Sequence, residues 1–304
     1  MDTISPYLDI ALTFPLAALL LGAIPLRRRS YWYAELAFHV AVGASLFLLP
    51  GFIFTPLVSA PLDALHFYLL RFVGAFHLGI ALTSYISRNN IGYMTGTVFY
   101  SRAVAAFFVL IAEYFTVYHL WDKRGLHPNE KFLIVATALH GVWLLGSLVH
   151  LLRTVDGVSG FAAVNKGWLS HGLILDGAIC LFTGVIHFAF PSQVLKLIIK
   201  SQYTIDGVHI CFTRLFGAMM FGASIASHFA PGYSNDNKKA HLFGRILTHG
   251  LIFLLNVYGH FQLDIFSMYH VTPFMLSGFY ITFLLSIYFR LQREEDKLLR
   301  EKQR

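Results

Sequence analysis

The sequence predicts an all-α, polytopic transmembrane protein with about nine spans, built as two parallel four-helix repeats after one N-terminal helix. Composition is the first reason: 56% of the 304 residues are hydrophobic and only 13% are charged, whereas about a quarter of residues are charged in soluble domains. The second is a series of stretches near the roughly 20 apolar residues that a helix needs to cross a bilayer. The third is a polar motif that occurs twice, first at Asp63 and again at Asp206.

The candidate spans follow one another along the whole chain. Three arginines, Arg27 to Arg29, follow the first apolar stretch and no basic residue precedes it, which is the reverse of a cleavable signal peptide. We therefore expect a membrane anchor with its N-terminus outside and, with an odd number of spans, a cytoplasmic C-terminus. Protease protection of terminal tags would check this orientation. The nine stretches are residues 9–26, 33–54, 64–86, 98–120, 132–152, 168–190, 206–229, 245–263 and 273–291.

The motif Asp-x-x-His-x-x-x-x-Arg-x-x-Gly-x-x-x-x-Gly divides the chain into repeats. Its two copies match at a constant offset, and a shorter offset upstream aligns Pro56 with Pro191. Because each unit has an even number of helices, both units enter the membrane from the same side, which gives parallel repeats. The predicted domains are an anchor helix at 1–30, a first repeat at 31–160 and a second repeat with a basic tail at 161–304.

The polar residues of each motif share one helix face, since their spacing keeps them within an arc of roughly 140°. Three interpretations stay open: a hydrogen-bonded clamp between helices, a site for an anionic headgroup or polar ligand, and acid/base chemistry by His66 or His209. The glycines allow a neighbouring helix to approach closely. The ligand-binding candidates are Asp63, His66, Arg71, Asp206, His209 and Arg214, and the helix-packing candidates are Gly74, Gly79, Gly217 and Gly222.

Part of the second repeat resembles a family of small four-helix membrane proteins. The residues that carry the resemblance are Ala189, Phe190, Pro191, Gln193, Arg214, Phe216 and Gly217. They are similar to the Ala-Phe-Pro-x-Gln and Arg-x-aromatic-Gly patterns of the tumour-suppressor (p-fifty-three)-inducible protein eleven family. DoxX-like and sterol-isomerase-like bundles also have an Arg-x-x-Gly at a helix start. The resemblance implies a multi-pass membrane protein without an established catalytic activity.

The sequence favours a binding role for this protein. The formal net charge of +7 comes from basic residues in short loops and the tail, which predicts contact with anionic membrane lipids and not with nucleic acid. Neither a Cys-x-x-Cys-His nor a His-Glu-x-x-His motif occurs, so we expect no metal and no cofactor. Arg300 and Lys302 resemble a dibasic retrieval signal, which favours the endoplasmic reticulum over the plasma membrane.

Three functions are open at this stage. We expect a non-enzymatic scaffold that binds a lipid, a sterol or a protein partner in the membrane. The alternative is a transporter for a small amphipathic solute, because two parallel repeats can enclose a site between them. The third is a membrane enzyme that acts on a hydrophobic substrate.

Overall fold

The protein is helical throughout the part that the structure describes. The computed structural model describes residues 5–55, 62–120, 130–154, 167–267 and 271–303. Helices make up 87% of the structure, and these ranges contain no strand beyond an isolated bridge between Ile199 and Phe266. The helices are α1 (Ser5–Ala23), α2 (Arg28–Leu48), α3 (Pro50–Phe54), α4 (Ala64–Ser87), α5 (Thr95–Leu120), α6 (Glu130–Leu152), α7 (Trp168–Ala189), α8 (Pro191–Ile198), α9 (Gly207–Phe229), α10 (Asn235–Phe261) and α11 (Val271–Lys302).

Seven helices in the described part of the chain are long and apolar enough to cross a membrane, namely α4, α5, α6, α7, α9, α10 and α11. The apolar part of α1, Phe14–Ala23, is too short by itself. Helix α2 is long enough, but it carries Arg28, Arg29, Glu35 and His39. Seven candidate spans are therefore confirmed by length and composition, and the count of nine stays a prediction.

A proline divides the second predicted span. Helix α2 stops before Pro50, where α3 begins, and Leu49 between them has φ −127° and ψ 43°. Helices α7 and α8 meet in the same way at Phe190, with φ −123° and ψ 43°, and Pro191. Proline lacks the N–H and its ring clashes with the preceding turn, so it begins a new helix. Pro50 thus occupies the place equivalent to Pro191, while Pro56, which the sequence aligned with Pro191, lies outside the described residues.

The helices follow the same order twice: one long helix, one short helix and three long ones. We call α2–α6 the first half and α7–α11 the second half. The N-termini of α4 and α9 meet, because His66 Nε2 lies 3.0 Å from Asp206 Oδ2. The two central helices therefore begin beside each other.

The two halves interleave through their central helices. Helix α4 packs against α2 of its own half and α10 of the other, and α9 packs against α7 and α5 in the equivalent way. One apolar core joins both halves, with Leu70 and Phe76 from α4 and Phe212 and Leu215 from α9 among its buried residues. The interface between the halves is therefore part of the core and not a surface contact.

The four predicted glycines lie where helices approach most closely. A Cβ atom on Gly74 would lie 2.7 Å from a backbone nitrogen of α2, and one on Gly217 would lie 2.8 Å from a backbone nitrogen of α7. For Gly79 and Gly222 the close atoms belong to the other half, at 2.7 Å from a carbonyl oxygen of α10 and 2.8 Å from a carbonyl oxygen of α5. The first pair sets the packing within each half, and the second pair sets the packing between halves.

Candidate functional site

Each Asp-His pair of the motif caps the N-terminus of a central helix. The backbone N–H of His66 donates to Asp63 Oδ1 at 3.0 Å, and the backbone N–H of Asp63 donates to His66 Nδ1 at 3.1 Å. Asp206 and His209 repeat this arrangement at 3.0 and 3.2 Å. Such a capping box satisfies backbone donors that have no partner at a helix start. Helix capping therefore accounts for the three-residue spacing.

The two caps bind each other across the interface between the halves. We call Asp63, His66, Asp206 and His209 the Asp-His clasp. His66 Nε2 lies 3.0 Å from Asp206 Oδ2, and His209 Nε2 lies 3.3 Å from Asp63 Oδ1. The two imidazole rings stack with centroids 3.5 Å apart. Each half thus supplies one ring and one carboxylate to the other half.

Three residues of the clasp are candidate metal ligands. Ligand atoms of Asp63, His66 and His209 lie within 4.8 Å of one another, which is close enough to hold an ion. Each Nε2 already lies within hydrogen-bond distance of a carboxylate of the other half, and each Nδ1 lies beside the carboxylate and the backbone N–H of its own capping box. The geometry therefore favours a hydrogen-bonded clasp.

Acid should weaken the clasp as its carboxylates become protonated below about pH 4. Burial acts to raise the pKa of the Asp206 carboxyl, but hydrogen bonds from His209 and His66 outweigh it and hold that pKa well below its usual range. At Asp63 burial also acts to raise the pKa of the carboxyl. The backbone N–H of His66 and the two histidine rings outweigh this effect and lower that pKa. A carboxyl with a depressed folded-state pKa stabilises the fold above its unfolded pKa of about 3.9, and this stability is lost as pH falls further.

We therefore expect Asp206→Asn to remove part of the acid-induced fall in the thermal unfolding midpoint, measured in detergent from pH 7 to pH 3. The exposed residue Asp296 provides the matched control, because Asp296→Asn changes the same group outside the clasp. An acid-induced fall of equal size in Asp206→Asn and wild type would contradict the assignment.

Arg71 and Arg214 lie outside the clasp. Arg71 Nε donates to the carbonyl oxygen of Phe47 at 3.1 Å, and Arg214 Nε donates to that of Phe188 at 3.3 Å. Each guanidinium also lies 5.6 Å from the centre of an aromatic ring of the other half. The carbonyls belong to the last turns of α2 and α7, where helices have acceptors without intrahelical partners. Four of the six ligand-binding candidates thus come together, and two do not join them.

A buried acid–arginine network in the first half was not predicted from the sequence. Arg102 donates to Glu35 and, at 2.5 Å, to Ser84 Oγ. Trp143 Nε1 donates to the other oxygen of Glu35 at 2.9 Å. Helices α2, α5 and α6 thus meet at one carboxylate, which is fully buried, and α4 joins the network through the bond between Arg102 and Ser84.

The second half contains the equivalent network, with Tyr280 in the place of Trp143. Arg245 donates from Nε and Nη2 to Asp176 at 3.2 and 3.1 Å, which is the two-point geometry that arginine and carboxylate prefer. Ser227 and Tyr280 also donate to Asp176, and Cys180 Sγ lies 2.6 Å from Arg245 Nη2. Each half is therefore held together by its own buried ion pair.

Two apolar cavities occupy equivalent places in the two halves. The first cavity, of about 390 Å³, lies between α1 and the helices of the first half and takes one residue, Leu215, from α9. The second cavity, of about 570 Å³, lies among the helices of the second half and takes Tyr68, Leu69 and Phe72 from α4. Aligning Pro50 with Pro191, Asp63 with Asp206 and Trp143 with Tyr280 pairs the lining residues, first cavity before second, as Val42/Thr183, Leu46/His187, Ile53/Val194, Leu70/Thr213, Val73/Phe216, His77/Met220, Val109/Ile252, Glu113/Asn256, Val135/Thr272, Ala136/Pro273, Leu139/Leu276 and His140/Ser277.

A polar pair lines each cavity. In the first, His140 Nδ1 lies 2.6 Å from Glu113 Oε1. In the second, Asn256 Nδ2 donates to Ser277 Oγ at 3.1 Å. None of the six ligand-binding candidates lines either cavity. The sequence signal that could have found the first pair is an acid, Glu113, in an otherwise apolar span.

Comparisons with known proteins give a family without an activity. A family model described as "Domain of unknown function (DUF8292)" matches residues 33–288. No curated protein and no solved structure matches the chain. The match covers both halves, including the clasp, both acid–arginine networks and most of the lining of both cavities.

Proposed function

The chain belongs to the DUF8292 family, and from its own geometry we propose that it is a non-enzymatic membrane protein that binds an amphipathic lipid or sterol in its apolar cavities. The observation that carries the proposal is the pair of cavities. Their volumes of about 390 and 570 Å³ fall in the range of small-molecule sites, roughly 300–1,000 Å³. Their linings are mostly apolar with a few polar groups, as such sites are.

The position of the cavities supports a ligand drawn from the membrane. Both are lined in part by helices that are apolar enough to span it. In the first half, Pro15 and Leu16 of α1 cover one side of the cavity. No helix in the described part of the chain takes that place in the second half, so the two cavities differ in access. An apolar tail that moves from the bilayer into a cavity would exchange contacts with lipid for contacts with apolar side chains.

Filling the first cavity should reduce lipid binding. Ala136, which lines the cavity, is buried, so a tryptophan there would occupy the ligand's volume. We expect Ala136→Trp to lose co-purifying lipid, measured by extraction and mass spectrometry of the purified protein. Ala138 lies two residues later on the same helix and is exposed, so Ala138→Trp is the matched control and should keep the wild-type lipid profile. Identical profiles in both variants and wild type would sink the proposal.

We also infer that the chain is a tandem duplication, with two parallel repeats after one N-terminal helix. The support is the repeated helix order, the two capping boxes, the two acid–arginine networks and the two cavities, each at equivalent residues. The Asp-His clasp then acts as a structural lock between repeats. A cytoplasmic C-terminus and a location in the endoplasmic reticulum stay predictions from the sequence, as does the resemblance to the tumour-suppressor-inducible family.

A transporter is the second candidate, and one observation favours it. A small cavity of about 70 Å³ lies between the halves, with Arg102 and Arg245 both in its lining. Each arginine is paired with a carboxylate, but Arg245 Nη1 has no hydrogen-bond partner among the described residues and could donate to an anion. In this reading, proteoliposomes would take up a small anion, and Arg245→Lys, which keeps the charge and removes this donor, would lower the rate. Uptake equal to that of empty liposomes would leave lipid binding as the better account.

A further inference from the structure

The two cavities differ at one polar acceptor. In the second cavity the hydroxyl of Tyr68 donates to Asn256 Oδ1 at 2.8 Å, while Asn256 Nδ2 donates to Ser277. The oxygen and the nitrogen of the Asn256 side-chain amide thus both have hydrogen-bond partners within the protein. In the first cavity Glu113 has the place of Asn256, and His140 has the place of Ser277.

The residue equivalent to Tyr68 in the other half is Cys211, by the same offset that relates Asp63 to Asp206. Its thiol lies close enough to Glu113 to interact electrostatically. A cysteine has no phenol ring, however, so it cannot place a hydroxyl against Glu113 as Tyr68 does against Asn256. Among the residues that the structure describes, Glu113 Oε2 consequently has no hydrogen-bond partner. The Glu113 side chain is only 2% exposed.

A buried carboxylate oxygen without a partner is unfavourable, since buried polar atoms are normally satisfied. Glu113 lines the first cavity together with His77 and His140. The rest of that lining is mainly apolar. The missing group is therefore a hydrogen-bond donor, carried on a molecule that is otherwise hydrophobic.

We propose that the first cavity binds an amphiphile whose head is a hydrogen-bond donor, a hydroxyl or an ammonium group, and that Glu113 Oε2 accepts from it in the place that the Tyr68 hydroxyl fills in the second half. This rests on the proposed lipid-binding function and names the chemistry of the ligand. The second cavity, where the equivalent acceptor is already used, lacks this preference.

The test uses the full-length protein in detergent and three hexadecyl probes with a photoreactive diazirine in the tail. The probes are the alcohol, the amine and the methyl ether, which has no donor. Labelled peptides from α5–α6 and from α10–α11 report the two cavities separately. We expect wild type to prefer the alcohol or the amine over the ether by about tenfold in the first cavity, because hydrogen bonds to charged groups are among the stronger ones. The stronger of the two donors identifies the head.

Glu113→Leu should reduce that preference to near one while the ether still labels, and the second cavity provides the internal control. Cys211→Tyr is a second variant. The new tyrosine hydroxyl should donate to Glu113 Oε2 and so prevent the head group of a probe from donating to it. Glu294→Gln, on an exposed carboxylate, should behave as wild type. Equal labelling by all three probes in wild type, or a preference that survives Glu113→Leu, would overturn the inference but leave lipid binding intact. An absence of labelling by every probe in both cavities would overturn this inference and the proposed lipid binding together.

Discussion

Replacing Arg245 with methionine should destabilise the protein by about 3–5 kcal/mol, the range seen when one member of a buried ion pair is removed. Arg245 and Asp176 are both buried, and the loss would leave the Asp176 charge with only neutral donors. The free energy of unfolding in detergent, from denaturant titration, measures the effect. The arginine also connects α7, α10 and α11, so we expect the second half to lose its packing first.

The double variant Asp176→Leu/Arg245→Met separates a charge effect from a shape effect. Replacing both charges with apolar groups is often close to neutral, so it should recover most of the lost stability. Arg290→Met is the control, because Arg290 is about half exposed in its pair with Glu294, and such pairs contribute about 0–1 kcal/mol. If the double variant were as unstable as Arg245→Met, packing and not charge would explain the loss.

Adding one methyl group at Gly79 should cost about 3 kcal/mol, because a tightly packed helix crossing has no space for it. The new Cβ would lie 1.9 Å from Thr248 Oγ1 and 2.7 Å from the carbonyl oxygen of Gly244. The second contact is with backbone, so the helices must move apart. Thermal and chemical unfolding of Gly79→Ala in detergent would measure this.

Two further variants make the Gly79 test specific. Thr248→Ala added to Gly79→Ala removes the closest atom and should restore part of the stability. Gly250, also on α10, has no atom within 4 Å of its built Cβ. Gly250→Ala should therefore stabilise the helix slightly, by roughly 0.5–1 kcal/mol. Equal losses in Gly79→Ala and Gly250→Ala would show that helix crossing is not the cause.

Local patterns in the sequence were sufficient to place the starts of the two central helices. Helix α4 begins after Asp63 and α9 after Asp206, where the motif puts them, because a capping residue and an apolar run are local signals. Pro50 was the exception within these signals, since the apolar run continues across it and only the backbone shows that α2 stops there.

The candidate site was predicted only in part, because spacing along a helix does not say what faces it. The shared face of Asp63, His66 and Arg71 predicted one cluster. In the structure the proximity of α9 draws His66 toward Asp206, while the free carbonyls at the end of α2 draw Arg71 the other way. Both partners are non-local, so no periodicity within α4 could identify them.

By itself the sequence determined that this is an apolar helical chain with two capped central helices and glycines at matching positions, since hydrophobicity, capping and small size act over a few residues. Only the tertiary structure decided which helices interleave and that Glu35 meets Arg102 and Asp176 meets Arg245. It also decided that one oxygen of Glu113 has no partner among the described residues, whereas Tyr68 donates to the equivalent Asn256 in the second cavity. The physical reason is that a buried charge or cavity is defined by partners from distant segments, and the packing of all helices brings those partners together.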